Sequence, residues 1–212
     1  MRDFGSTASF RNITATAGGT TSTAVATYLA PFANVLLPTG GWTSYGGLWT
    51  ASSANETYSN ITGGSGEKSI AGVSTWGNYS LTGDVQLVSS ATTATSAGFV
   101  VRVSNPSSAV NGMNGYYAGV SSSALSLVRI NSGTATTLAT RALPATLGVN
   151  TWYHLTVEAV GCTITATAQL KSGSALTIAS FADTGCTATT GQIGVRTVGT
   201  TATWRDVAVT PR

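Results

Sequence analysis

The chain has 212 residues, a net charge of +3 and charged side chains at only 8% of its positions. Its 42% of hydrophobic residues can bury a core, which excludes wholesale disorder. The ten Lys and Arg form no dense cluster of the kind that nucleic acid binding uses, and no apolar run approaches the roughly 18 residues of a membrane-spanning helix.

The chain begins with an apparent copy of its own last strand. Residues 4–16 (FGSTASFRNITAT) parallel residues 198–210 (VGTTATWRDVAVT). We expect residues 1–19 to be the end of a preceding tandem repeat, or a strand that completes the sheet of a neighbouring subunit. Chance similarity within one Thr- and Ala-rich composition is the third explanation. Residues 20–30 are interpreted as a linker and 31–212 as the compact domain.

The rest of the chain alternates apolar and polar residues with a period of two, which is typical of half-buried strands. Gly-containing turns separate the strands, and no window carries a capped amphipathic helix. The pattern predicts an all-β fold, an antiparallel two-sheet β-sandwich. The predicted strands are 69–73, 78–87, 99–103, 116–121, 124–130, 136–142, 152–159, 163–170, 176–181, 192–198 and 202–209.

Six stretches of this pattern resemble a known superfamily. They are 74–81 (STWGNYSL), 97–103 (AGFVVRV), 115–120 (GYYAGV), 152–157 (WYHLTV), 191–195 (GQIGV) and 204–209 (WRDVAV). Their order resembles the concanavalin A-like (laminin-G-like) jelly roll, and within it the fructan-binding family 66 carbohydrate-binding modules. The resemblance implies two curved sheets, a structural calcium ion in many members, and glycan recognition on the concave sheet or its rim loops.

A compact set of residues is the candidate sugar site. Arg102 is expected to point away from the face formed by Phe99, Val101 and Val103. Guanidinium and amide groups can bind vicinal hydroxyls in pairs, and an aromatic ring can stack on a sugar. We therefore predict a ligand-binding set on two strands, the loop between them and a third strand: Arg102, Asn111, Asn114, Tyr117 and Glu158.

Catalysis is not expected, because the seven acids are isolated in sequence and lack the Glu-x-Asp-x-x-Glu arrangement of the laminarinase-like enzymes of the superfamily. Glycoside hydrolysis needs two carboxylates on either side of the scissile bond. Asp206 is the candidate ligand for a calcium ion, which prefers hard oxygen ligands. Cys162 and Cys186 are the only cysteines and are expected to form a disulfide, with two buried free thiols as the alternative.

These observations favour a secreted, non-catalytic carbohydrate-binding module at an extracellular or cell-surface location, with a glycan or polysaccharide as its partner. No leader peptide is visible at residues 1–4, so an exported protein would be represented here by its mature chain or by a fragment. The alternative function is a structural repeat of an adhesin or filament that self-associates through its N-terminal strand.

Overall fold

The protein is an antiparallel two-sheet β-sandwich, as the alternation predicts. The structure, a computed structural model, describes residues 28–29, 41–52, 54–146 and 148–212, and this part of the chain contains no helix. The described residues do not include 1–19, the expected N-terminal strand, or position 31, the expected start of the domain. Of the expected linker at 20–30 they include only positions 28–29. The strands are β1 Tyr28–Leu29, β2 Trp42–Tyr45, β3 Trp49–Ser52, β4 Thr57–Asn60, β5 Lys68–Ala71, β6 Tyr79–Leu87, β7 Ser96–Ser104, β8 Asn114–Val120, β9 Ala124–Asn131, β10 Thr134–Ala142, β11 Tyr153–Val160, β12 Thr163–Leu170, β13 Leu176–Ala182, β14 Gln192–Val198 and β15 Ala202–Pro211.

Two sheets form the layers of the sandwich. Sheet I has the order β13-β12-β11-β6-β15-β4-β3, and β1 also pairs with β15. Sheet II has the order β10-β9-β8-β7-β14-β5-β2. Every described pairing is antiparallel, so each sheet can bury one face and expose the other.

The main core lies between the two sheets and follows the alternation of the strands. Leu155 and Val157 of β11 pack against the same core as Leu125 and Leu127 of β9. Trp204 of β15 is also fully buried there. Burying such apolar side chains stabilises the sandwich by roughly 1.5–3 kcal/mol for each large one.

The tryptophans of β2 and β3 pack against this core rather than forming an exposed pair. The ring of Trp49 lies 5.2 Å from that of Tyr58 and 5.7 Å from that of Trp204. Trp42 lies 5.5 Å from Tyr58. Both tryptophans are half-buried, so this Gly-rich stretch does not offer a freely exposed aromatic surface.

The predicted disulfide is confirmed. Cys162, in the turn between β11 and β12, bonds to Cys186 with a Cα–Cα distance of 5.1 Å. The bond ties the loop after β13 to sheet I. Among the described residues, no helix has the length and apolar character needed to cross a membrane.

Candidate functional site

Arg102 does not occupy the position that the sequence predicted. Its side chain is 1% exposed and reaches loops at one end of the sandwich. Its Nη1 donates to the carbonyls of Gly161 (2.6 Å) and Ala188 (2.9 Å), and its Nη2 donates to that of Gly77 (3.4 Å). In this arrangement the guanidinium joins three chain segments and presents no free face to a ligand.

A β-bulge explains this orientation. Arg102 has a φ of 53°, and the pairing of β7 shifts register beside it on both neighbouring strands. The bulge interrupts the alternation. Val103 therefore packs with Val100 in a second, smaller hydrophobic cluster, whereas Val101 lies in the main core. A Cβ on Gly191 would lie 2.3 Å from the carbonyl carbon of Arg102, so the close approach of the chains here requires glycine.

Asn114 and Glu158 also lie apart from the other predicted ligands. The Oδ1 of Asn114 accepts a hydrogen bond from the backbone N–H of Ser132 (2.7 Å), which fixes the ends of two neighbouring hairpins. Glu158 lies on β11 in sheet I and pairs with Arg212. The five predicted residues therefore do not form one site.

Asn111 and Tyr117 do come together, in a groove on the face of sheet II that is turned away from sheet I. The groove has a volume of about 600 Å³ and runs across β14, β7, β8, β9 and β10. Its lining is rich in small hydroxyl side chains, including Ser96, Ser121, Ser126, Thr137 and Thr140. No Asp or Glu of the described residues lines it.

The floor of the groove is built around Arg196, which the sequence analysis missed. The guanidinium of Arg196 lies 4.8 Å above the ring of Tyr117, a distance suited to a cation–π contact. Its Nη2 donates to Asn111 Oδ1 (2.8 Å) and to the carbonyl of Val110 (3.2 Å). The hydroxyl of Tyr117 lies 2.9 Å from Ser96 Oγ. Burial raises the pKa of Tyr117, so the phenol is neutral at physiological pH.

A second buried cation, Lys68, lies beside Arg196 on the neighbouring strand β5. The two residues are register partners. The Nζ of Lys68 donates to the carbonyls of Ser107 (2.8 Å) and Ala109 (3.0 Å). Lys68 and Arg196 therefore both hold the 105–113 loop against sheet II. Burial, together with the charge of Arg196, lowers the pKa of Lys68 to about 8.

A separate charge cluster lies on the outer face of sheet I. Asp84 is fully buried, and its carboxylate contacts His154 Nδ1 (2.9 Å), Lys171 Nζ (3.0 Å) and Arg205 Nε (3.2 Å). Burial alone would raise the pKa of Asp84, but the hydrogen bonds from these three groups outweigh it, and the pKa lies below its ordinary value. The guanidinium of Arg205 also lies 4.2 Å from the ring of Trp152. This cluster cross-links β6, β11 and β15.

The surroundings of Asp206 fit calcium poorly. Its side chain is exposed at a second bulge, and the nearest charged group is the guanidinium of Arg205, 3.8 Å away. Calcium takes six to eight oxygen ligands, commonly from several carboxylates. The described residues hold no group of three or more His, Cys, Asp or Glu placed for a metal. Calcium binding stays a prediction.

Solved structures share this fold, although no protein-family model and no curated protein matches the chain. The family 66 carbohydrate-binding module from Bacillus subtilis has a TM-score of 0.62 and 20% identity, over 79% of this chain and 93% of that one. The CBM2 module of the evolved Dit protein of Lactobacillus casei BL23 phage J-1 has a TM-score of 0.58 and 12% identity, over 86% and 93%.

A larger protein also contains the fold. The GH43 protein BlXynB from Bacillus licheniformis has a TM-score of 0.60 and 13% identity, and the match covers 87% of this chain. The chain spans only 39% of that protein's length. The likenesses confirm the expected two-sheet jelly-roll fold, which the chain shares with the family 66 module.

Proposed function

We propose that this protein is a non-catalytic carbohydrate-binding module that takes a saccharide in the groove of sheet II. The observation that carries the proposal is the chemistry of the groove. A cleft of this size falls in the range of small-ligand sites, and it is lined by hydroxyls, one amide and one guanidinium. The fold that surrounds it is shared with two carbohydrate-binding modules.

The groove offers both kinds of contact that a sugar ring requires. Ser126 and Thr137, on adjacent strands, can exchange hydrogen bonds with ring hydroxyls in either direction, because a hydroxyl both donates and accepts. Val128, Ala135 and Val198 supply apolar surface for the C–H faces of the ring. Sugar recognition therefore needs no rearrangement of the sheet.

The lining supports binding rather than hydrolysis. A glycosidase places two carboxyl groups across the scissile bond, about 5–10 Å apart. No Asp or Glu is among the described residues that line the groove, so neither carboxyl group is available there. A bound saccharide would contact neutral and cationic groups only, so we propose that the protein holds a glycan without cleaving it.

The disulfide supports an extracellular location for this activity. Disulfides persist in oxidising compartments and are rare in the cytosol. Neither Cys162 nor Cys186 lines the groove, so the expected role of their bond is to stabilise the fold.

A glycan array followed by isothermal titration calorimetry tests the proposal. We expect the protein to bind at least one saccharide class, and Ala135→Trp to abolish binding because the indole fills the groove. Ser180→Trp is the matched control. This variant places the same side chain at an exposed position of β13, an edge strand of sheet I, and should bind normally. Equal loss in both variants, or binding to no saccharide, would overturn the proposal.

A further inference from the structure

Arg196 in the floor of the groove and Lys68 beside it on β5 are two positive charges that no described carboxylate balances. Lys68 is 0% exposed and Arg196 is 4% exposed. Among the described residues, neither forms an ion pair, whereas Arg129, Lys171, Arg205 and Arg212 all do. The partners of both cations are carbonyl groups and the amide of Asn111.

Such an arrangement is costly, and an anionic ligand would offset part of the cost. A buried cation is normally paired with an anion, because removing charge from water costs several kcal/mol. Placing a second cation beside the first adds repulsion. Arg102 is also buried without a carboxylate, but its guanidinium joins three loop carbonyls and does not line the groove.

The guanidinium of Arg196 also has N–H donors that no described residue uses. Its Nε is buried and has no hydrogen-bond partner among the described residues. Only its Nη2 is used to hold the 105–113 loop. An oxyanion on the groove side of the guanidinium could accept hydrogen bonds from Nη1, which holds none of the described residues, with the strength of a charge-assisted hydrogen bond.

From this geometry we propose that the groove binds a saccharide that carries an anionic group, placed against Arg196 and attracted by the charge of Lys68. This inference rests on the proposed function and names the substrate class. The shared chemistry is an oxyanion on a sugar, supplied by a uronic acid carboxylate, a sulfate ester or a phosphate ester. The neutral lining at Ser126, Thr137 and Thr140 would hold the uncharged parts of the ring.

Calorimetry on matched pairs of charged and neutral oligosaccharides tests this inference. The pairs are hexagalacturonate and its methyl ester for carboxylate, carrageenan oligosaccharides before and after desulfation for sulfate, and phosphomannan oligosaccharides before and after phosphatase treatment for phosphate. We expect the charged member of at least one pair to bind about tenfold more tightly or better, the range of a charged hydrogen bond, and its affinity to fall with added salt.

Arg196→Gln should remove this preference and leave weak binding that is equal for both members of the pair. Arg212→Gln removes the same charge from sheet I and should keep the preference. If Arg196→Gln does not fold, Lys68→Met gives an independent variant, and it should weaken binding of the charged member while leaving the neutral member nearly unchanged.

The outcomes separate the two proposals. Tight binding of neutral saccharides, with no preference for the charged members and no salt dependence, would overturn the inference and leave the proposed function standing. Binding to no saccharide of any pair or of the array would overturn both. A preference that survives Arg196→Gln unchanged would show that the anion binds elsewhere.

Discussion

Replacing Arg102 with Ala should destabilise the fold and leave saccharide affinity unchanged. The side chain is buried at the end of the sandwich, where it joins the 77 loop, the β11–β12 turn and the 188 loop. None of these contacts lies in the groove of sheet II. The variant therefore tests whether Arg102 holds the loops together or binds a ligand.

The expected loss can be worked from the contacts. Two of the guanidinium hydrogen bonds are short, at 2.6 and 2.9 Å, and the third is weak at 3.4 Å. A hydrogen bond that involves a charged group contributes about 1.5–3 kcal/mol, and the carbonyls left behind lose a partner. We expect the free energy of unfolding to fall by roughly 3–5 kcal/mol, allowing for the desolvation that the buried charge no longer costs.

Urea denaturation followed by tryptophan fluorescence measures this loss, and calorimetry at low temperature measures affinity. Arg141→Ala is the control, because Arg141 is exposed and donates only to the carbonyl of its own neighbour Thr140. We expect it to change stability by less than about 0.5 kcal/mol. If Arg102→Ala were as stable as the control and lost saccharide binding, the structural role given to Arg102 would be wrong.

Three further predictions concern the disulfide and two buried charges. Replacing Cys162 and Cys186 with Ser should lower the free energy of unfolding by about 3–4 kcal/mol in urea, because the bond closes a loop over a sequence separation of 24; an unchanged urea midpoint would refute this. Asp84→Asn should cost roughly 3 kcal/mol at neutral pH. Because the pKa of Asp84 is lowered on folding, this difference should shrink as the pH of the urea series falls below 3.8, and a difference independent of pH would contradict it. Burial lowers the pKa of Lys68 from 10.5 to about 8, so the unfolded chain binds more protons between these values. Wild type should therefore gain stability relative to Lys68→Met as pH rises from 8 to 10, and a constant difference would contradict it.

The sequence was sufficient to predict most of the sheet structure. Each strand from β5 to β15 overlaps a predicted strand, and the clear alternation of β11 and β12 follows directly from the pleat. Strands β1 to β4 were not predicted, and β1 lies in residues expected to be a linker. Strand β1 has two residues and the other three have four each, rich in Thr and Ser, so they are too short to show a period of two.

The site was predicted only in part, for a physical reason. Alternation places Arg102 on the outer face only if β7 is regular, and the bulge with a positive φ at Arg102 reverses that assignment. The bulge lies where the backbone at Gly115 and Gly191 approaches Arg102 closely, which is a tertiary feature. Arg196 could have been found, because it lies on the opposite side of β14 from Ile193 and Val195. Its proximity to Asn111 could not have been predicted, because it depends on the path of the 105–113 loop.

We propose that the outer face of sheet II binds a saccharide. NMR chemical-shift mapping with the tightest-binding saccharide of the array tests it most directly. The perturbed amides should lie on β8, β9, β10 and β14 and in the 105–113 loop, and those around Asp84 on sheet I should not move. Perturbations confined to sheet I, or the absence of any shift at saturating saccharide, would contradict the claim.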